Sequence, residues 1–163
     1  MSDNPSKCAQ FYLLSYPAHK EFPTEKSALG QANMINLGSK SLANERTINQ
    51  AICEAKIHSS QLVMGYTKLA DGSVWNTMPV HTHERRSEIY MYFGMNPDDC
   101  VFHLMGAPED TRHIVVRNRQ VVISPSWSVH SGCGTRAYTF CWGMGGENQR
   151  FDDMDEVPMK ELR

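Results

Sequence analysis

From residue 61 onward, short apolar runs follow one another at close spacing and are separated by turn residues. The runs are QLVMGYTKL, SVWNTMPVH, SEIYMYF, CVFHLM, RHIVV, QVVIS and TRAYTFCW. They are rich in Val, Ile, Tyr, Phe and Trp, and the segments between them include ADG, GMNPDD, GAPEDT and RNR. Many short strands with turn residues between them are typical of an antiparallel sandwich or barrel. The sequence therefore predicts an all-β fold.

The N-terminal part of the chain has a different character. A single apolar run, FYLLSY, ends at Tyr16, and the next thirty-odd residues are rich in Ser, Asn, Lys, Pro and Gly. This pattern predicts an isolated strand within residues 1–16 and a linker or surface loop over residues 17–50. A weakly amphipathic stretch predicts a short helix within residues 41–52. The β domain is expected to occupy residues 51–163.

Charge and cysteine content restrict the function classes. The chain has 163 residues and a net charge of −2, so nothing favours nucleic acid or a membrane as the main partner. Eight of the nine arginines follow residue 80, which suits an anionic small molecule. Five cysteines form no CxxC pair, and we interpret them as reduced thiols of a cytosolic protein.

Three histidines and a glutamate form a candidate metal site. Residues two apart on a strand share a face, so His81 and His83 are expected to project together. Glu88 has the opposite parity, but the polar ERRS segment predicts a bend that returns it to the same side. His130 follows a turn marked by Pro125 and would join them in a closed barrel. Imidazoles with a carboxylate suit a divalent metal, although HxH alone is more often a coincidence on an exposed strand.

These residues resemble two motifs of the cupin superfamily, HxHxxxxE followed by PxWxxH, with Trp127 at the position of the usual glycine. The stretches RTIN, WNTMPVHTHERRSEIY, EDTRHIV, VISPSWSVHSG, AYTF, GENQ and FDDMD resemble a narrower family within it. That family is the 5-dehydro-4-deoxy-D-glucuronate isomerases, also called 5-keto-4-deoxyuronate or 4-deoxy-L-threo-5-hexosulose-uronate ketol-isomerases. The likeness runs from residue 10 to Arg163 and is dense from Arg46 onward.

The resemblance implies a cupin-type jelly-roll barrel and a cytoplasmic homo-oligomer, a hexamer in the family. It implies one Zn²⁺ per chain, held by His81, His83, Glu88 and His130. The implied reaction converts 5-dehydro-4-deoxy-D-glucuronate to 3-deoxy-D-glycero-2,5-hexodiulosonate in pectin breakdown. Family chains carry another cupin-like barrel first, so this sequence resembles a C-terminal part, and residues 1–16 resemble the end of the missing barrel. The isolated strand is then expected to dock on the remaining barrel or on a partner chain.

The implied reaction needs a base and positive charge near the substrate oxygens. Glu88 is a candidate base, although a plain ligand role is favoured over that one. Tyr90, Tyr92 and Trp142 are candidate cavity residues that could equally be ordinary core aromatics. For the substrate carboxylate we prefer Arg112, which opens a strand beside a turn.

Arg85 and Arg86 are also candidates for the carboxylate, but a solvated bend or an oligomer contact is favoured for both. His103 and His113 lie in predicted strands without ligand spacing, and we place them outside the metal site.

Two other functions remain open at this point. The chain can be another metal cupin enzyme, such as an iron dioxygenase or a different sugar isomerase. It can also be a non-catalytic cupin fragment that binds a sugar acid without turnover. The length of the likeness beyond the four ligands favours the uronate isomerase.

Overall fold

The fold is built of β-strands. The computed structural model describes residues 4–28, 30–147 and 150–163, and within these ranges no α-helix forms. The strands are β1 (Asn33–Leu37), β2 (Arg46–Ile52), β3 (Leu62–Leu69), β4 (Trp75–Asn76), β5 (His81–Thr82), β6 (Arg86–Phe93), β7 (Val101–Ala107), β8 (Asp110–Val116), β9 (Val121–Ser124), β10 (Val129–Gly134), β11 (Thr139–Gly146) and β12 (Asp155–Glu156). Short 3₁₀ turns lie at Lys40–Leu42 and Met159–Glu161.

Some sequence predictions fall outside the described residues. These are the first three residues of the predicted N-terminal strand segment, Leu29 in the predicted linker, and the last two residues of the GENQ motif. Among the residues described, no helix has the length and apolarity that a membrane crossing requires.

The strands form three antiparallel sheets. A six-stranded sheet has the order β1-β2-β3-β11-β6-β9, and a four-stranded sheet has the order β4-β10-β7-β8. The short pair β12-β5 completes the set. Short strands that are distant in sequence but adjacent in a sheet are typical of jelly rolls. The all-β prediction is therefore confirmed.

The centre of the six-stranded sheet directs its bulky side chains inward. Along β6 the buried residues alternate with half-exposed ones, as expected for a strand with one buried face, whereas β11 is buried at each position between its two ends. The register places Trp142 opposite Tyr90 and Met144 opposite Glu88. The core thus contains a column of aromatic side chains that leads to one buried carboxylate.

The predicted helix within residues 41–52 is wrong, and part of the predicted linker belongs to the barrel. Residues 46–52 form β2, which pairs with β1 on one side and β3 on the other. The buried side chains of β2 include Arg46, Asn49 and Gln50. The fourth buried residue is Ile48, and because the other three are polar, the alternating apolar pattern that marks a strand is missing from the sequence.

Two further segments differ from the predicted strands. The predicted strand SVWNTMPVH is split into β4 and β5, with a loop at residues 77–80 between them. The segment around His130, expected as a turn before a strand, is itself β10 and lies between β4 and β7. Its small residues Ser131, Gly132 and Gly134 gave a turn-like composition to a buried central strand.

The N-terminal segment docks on the outer face of the six-stranded sheet. Tyr12, Leu14 and Tyr16 are half-buried, whereas the intervening Phe11 and Leu13 are each 88% exposed. A Cβ atom at Gly143 would overlap Leu14, and one at Gly145 would overlap the ring of Tyr16. The Tyr16 hydroxyl also hydrogen-bonds the Ser87 hydroxyl. The expected docking is therefore present, although the segment joins no sheet.

The two neighbouring leucines of this segment allow a matched test. We expect Leu14→Ala to lower the free energy of unfolding by about 1–2 kcal/mol, because a half-buried leucine loses part of its apolar contact. Leu13→Ala should change it by less than about 0.5 kcal/mol, as is usual for exposed sites. Urea unfolding of the two variants measures the difference. Equal losses would show that the segment does not pack on Gly143 in solution.

Candidate metal centre

Three strands and one loop bring four buried side chains to a single point. His81 lies on β5, His83 follows in the adjoining loop, Glu88 lies on β6, and His130 lies on β10. One ligand atom from each lies within 4.8 Å of the other three, and each residue is at most 6% exposed. The bend expected at ERRS occurs between β5 and β6. The structure thus gathers the four side chains that the sequence singled out.

The polar atoms of the cluster are in direct contact. A Glu88 carboxylate oxygen lies 2.7 Å from Nε2 of His130 and 3.2 Å from Nε2 of His83. The Nε2 atoms of His81 and His130 are 3.1 Å apart. Ligand bonds of about 2.1 Å around one cation place neighbouring donor atoms roughly 3 Å apart, and these distances agree with that spacing.

The other ring nitrogen of each histidine contacts a backbone carbonyl. Nδ1 of His81 lies 2.9 Å from the Pro79 oxygen, and Nδ1 of His83 lies 2.6 Å from the Asp153 oxygen. For His130 the corresponding distance to the Ser128 oxygen is 3.3 Å. Since a carbonyl only accepts, each of these contacts places a proton on Nδ1 and turns Nε2 towards the cluster. With a cation bound, each Nε2 would offer it a lone pair.

Burial and neighbouring charges set the protonation states of the cluster. Burial, with a further contribution from His130, lowers the pKa of His81 to about 4, so this imidazole is neutral at pH 7. Burial alone would raise the pKa of Glu88, but His130 and His83 outweigh it and hold that pKa well below its usual range. Neutral imidazoles and an ionised carboxylate are the forms that bind a divalent metal. The donor set of three nitrogens and one oxygen suits Zn²⁺ and other first-row ions.

A cavity that is partly open to solvent adjoins the cluster. Its walls are largely apolar and include Phe140, Trp142, Met144, Phe151 and Met154, while His81, His83 and Glu88 lie in its lining. A concave apolar site with a few convergent polar groups is typical of small-molecule binding.

The structure places the four predicted substrate-binding residues differently. Tyr90 and Trp142 line the cavity. Tyr92 does not contribute to its lining: the Tyr92 hydroxyl lies 2.7 Å from Nδ1 of His103 in the interior. Arg112 is exposed on β8 and pairs with Asp110, so its guanidinium is not directed at the cavity.

Arg85 and Arg86 have different environments, although both were predicted to be in a solvated bend or an oligomer contact. Arg85 is exposed, in agreement with that prediction. Arg86 is only 2% exposed and donates to the carbonyl oxygens of Arg150, Phe151 and Asp153. The prediction is wrong for Arg86, which holds the segment that carries Phe151 and Met154 over the cavity.

Sequence reasoning missed Arg46 as a cavity residue. This arginine begins β2, is 7% exposed, and lines the cavity. The sequence predicts a linker with a short helix at this position, and that prediction gives no direction for the Arg46 side chain. The available signal was its isolation, because it is the one arginine before residue 80.

Comparison with known proteins identifies related sequences. The model of the KduI/IolB family matches residues 3–159. A curated 4-deoxy-L-threo-5-hexosulose-uronate ketol-isomerase from Salmonella paratyphi B is 55% identical over 163 residues. That alignment covers 100% of this chain and 59% of the relative, so the chain spans about three fifths of the relative's length.

Solved structures with low sequence identity share the fold. An IolB-like protein from Salmonella typhimurium LT2 superposes with a TM-score of 0.75 at 15% identity, covering 86% of this chain and 56% of the other. A cupin-2 domain from Rhodospirillum rubrum gives a TM-score of 0.53 at 12% identity, covering 87% and 85%. The cupin-type fold predicted from the sequence is confirmed.

Proposed function

The chain belongs to the KduI/IolB family, and on that premise we propose that it catalyses a metal-dependent ketol isomerisation of a sugar acid. The proposed substrate is 5-dehydro-4-deoxy-D-glucuronate, and the proposed product is 3-deoxy-D-glycero-2,5-hexodiulosonate. The observation that carries the proposal is the convergence of three imidazole Nε2 atoms and a carboxylate beside a cavity. The 55% identity to a ketol-isomerase supports the reaction class.

The four side chains would hold one Zn²⁺. A bound divalent cation supplies positive charge to the aldehyde and hydroxyl oxygens, which gain negative charge as the proton moves between their carbons. Such a site must accept five or six ligands, because four protein ligands close a tetrahedral shell. The Nδ1–carbonyl contacts keep each imidazole oriented for this task.

Other groups of the chain would orient the substrate. The Tyr90 hydroxyl lies 2.8 Å from the Thr77 hydroxyl, and both residues line the cavity. Burial, together with the nearby Glu88 charge, raises the pKa of Tyr90 well above its ordinary value. The phenol therefore stays protonated and can donate to a substrate oxygen. The lowered pKa of Glu88 makes it a weak base, which favours the ligand role over the catalytic one.

We also propose a cytoplasmic location and a homo-oligomeric state, with a sugar acid rather than a macromolecule as the partner. All three follow from the family resemblance, and the five cysteines that are free in the structure agree with the proposed location.

A direct assay tests the proposed reaction. The chain is treated with a chelator, supplied with one equivalent of Zn²⁺, and incubated with 5-dehydro-4-deoxy-D-glucuronate. We expect the aldehyde proton signal to disappear and the ketose signals to grow, with slower conversion in the chelated sample. Oxygen-dependent turnover with bound iron would instead support a dioxygenase. Unchanged conversion after complete metal removal would refute the metal-dependent mechanism.

A further inference from the structure

Arg46 is a buried cation that faces the same cavity as the histidine cluster. It is 7% exposed, and in the described part of the chain it is the one arginine or lysine that lines this cavity. Its guanidinium donates to the backbone oxygens of Asn44 and Met78, both at 2.8 Å. None of the ion pairs between described residues involves it.

The environment of Arg46 differs from those of Arg86 and Arg112. Arg86 is enclosed by three carbonyl oxygens of one segment, which gives it a structural task. Arg112 is exposed and already has a carboxylate partner in Asp110. A charge that is removed from water without an ionic partner is costly, and burial lowers the pKa of Arg46 accordingly. If Arg46 only stabilised the fold, its guanidinium would not need to lie at the cavity wall.

The loop at residues 77–79 fixes Arg46 relative to the metal centre. Arg46 donates to the carbonyl oxygen of Met78, while Nδ1 of His81 contacts the carbonyl oxygen of Pro79, the next residue. The guanidinium and one of the cluster imidazoles thus bond to neighbouring peptide units of one short loop. Arg46 and the cluster residues His81, His83 and Glu88 line the same cavity, so both border the space that one ligand would occupy.

We propose that Arg46 binds the carboxylate of the substrate and makes the site selective for sugar acids over neutral sugars. The inference rests on the proposed function and adds the residue that recognises the acid group. In a hexosulose uronate the aldehyde and the carboxylate are the two ends of a six-carbon chain. Holding the carboxylate at Arg46 leaves the aldehyde end for the histidine cluster. Two carbonyl bonds use two of the five guanidinium N–H groups, so donors remain for a forked carboxylate contact.

The first test compares kcat/KM for the acid with that for its C6 primary amide. We expect Arg46→Gln to reduce kcat/KM for the acid by about 10- to 100-fold, mainly through KM, since a charged hydrogen bond is lost. In the same variant, kcat/KM for the amide should change by less than about threefold, because only a neutral hydrogen bond is affected. Arg46→Lys, which keeps the charge but not the fork, should lie between wild type and Arg46→Gln. Arg136→Gln, at an exposed arginine with a 3.6 Å contact to Asp99, is the matched control.

A second test keeps this inference separate from the proposed reaction. Binding of glucuronate and of glucose is measured by calorimetry on the wild-type, Arg46→Gln and Arg112→Gln proteins, with zinc content and thermal unfolding recorded for each. Glucuronate binding that depends on Arg46, without isomerase activity, would refute the proposed function and support the carboxylate site.

The remaining outcomes count against the carboxylate site. Isomerase activity with an unchanged preference for the acid in Arg46→Gln, or a loss found in Arg112→Gln instead, would refute the role of Arg46 alone. Absence of both activity and glucuronate binding in wild type would overturn both proposals.

Discussion

His130→Ala should lose the bound metal and lower isomerase activity by more than about 100-fold, since a metal supplies several kcal/mol of transition-state stabilisation. The Nε2 atom of His130 contacts both the Glu88 carboxylate and Nε2 of His81. Its removal therefore takes a donor from the middle of the cluster and leaves a buried carboxylate with one fewer partner. Zinc content after dialysis and the isomerase rate measure the effect.

A distant histidine and a spectroscopic probe make this test specific. His113→Ala removes an exposed imidazole on β8 and should keep wild-type zinc content and rate. Substitution of Co²⁺ for Zn²⁺ gives a visible absorption spectrum that depends on the donor set, so it reports the site without relying on turnover. A His130→Ala protein that is folded, retains one equivalent of metal and shows the wild-type cobalt spectrum would exclude His130 as a ligand.

Local periodicity predicts only part of the cluster. His81 and His83 share a face because strand side chains alternate, and a polar bend was enough to bring Glu88 to the same side. His130 is 42 residues further on from Glu88, and its inclusion depends on the turn marked by Pro125, on closure of the barrel and on the PxWxxH resemblance rather than on periodicity. Runs with strong alternation, such as SEIYMYF, also correspond to observed strands.

The sequence predictions that fail concern arginines whose surroundings depend on the position of their strand in the sheet. Arg112 begins a predicted strand, but β8 is the edge of the four-stranded sheet and the Arg112 side chain is exposed there. Arg46 is absent from the predicted site because β2, which carries it, has mostly polar buried residues and is not recognisable as a strand from the sequence. Sequence patterns predict which side chains share a face of a strand, but not which strands lie next to it in the sheet. The neighbouring strands decide whether the side chain of Arg46 or that of Arg112 lines the cavity.

Acid should destabilise the protein strongly between pH 6.5 and pH 4, and His103 should account for a large part of the effect. This side chain is fully buried, its Nδ1 lies 2.7 Å from the Tyr92 hydroxyl, and Nε2 has no hydrogen-bond partner among the described residues. Burial, with a smaller contribution from His130, lowers the pKa of His103 to about 3. The unfolded chain, with an ordinary histidine pKa of about 6.5, binds a proton that the folded chain rejects in this range.

The sign and size of this effect follow from proton linkage. Because the unfolded state binds more protons between pH 6.5 and pH 3, stability falls as the pH falls, by about 1.4 kcal/mol per pH unit for one group. His81, with a pKa of about 4, acts in the same direction. Near pH 5 the unfolded state therefore binds almost two protons more than the folded state, and the slope of unfolding free energy against pH is nearly twice that for one group. Urea unfolding of the metal-free protein as a function of pH measures this slope.

A His103→Asn variant isolates the contribution of this imidazole. We expect its slope of unfolding free energy against pH to decrease by about one proton, even if its stability at pH 7 is lower. His113→Asn, which removes an exposed imidazole, should keep the wild-type slope. The slope is independent of any packing loss, since that loss is the same at each pH. Identical slopes for His103→Asn and wild type would mean that His103 accepts a proton in the folded barrel.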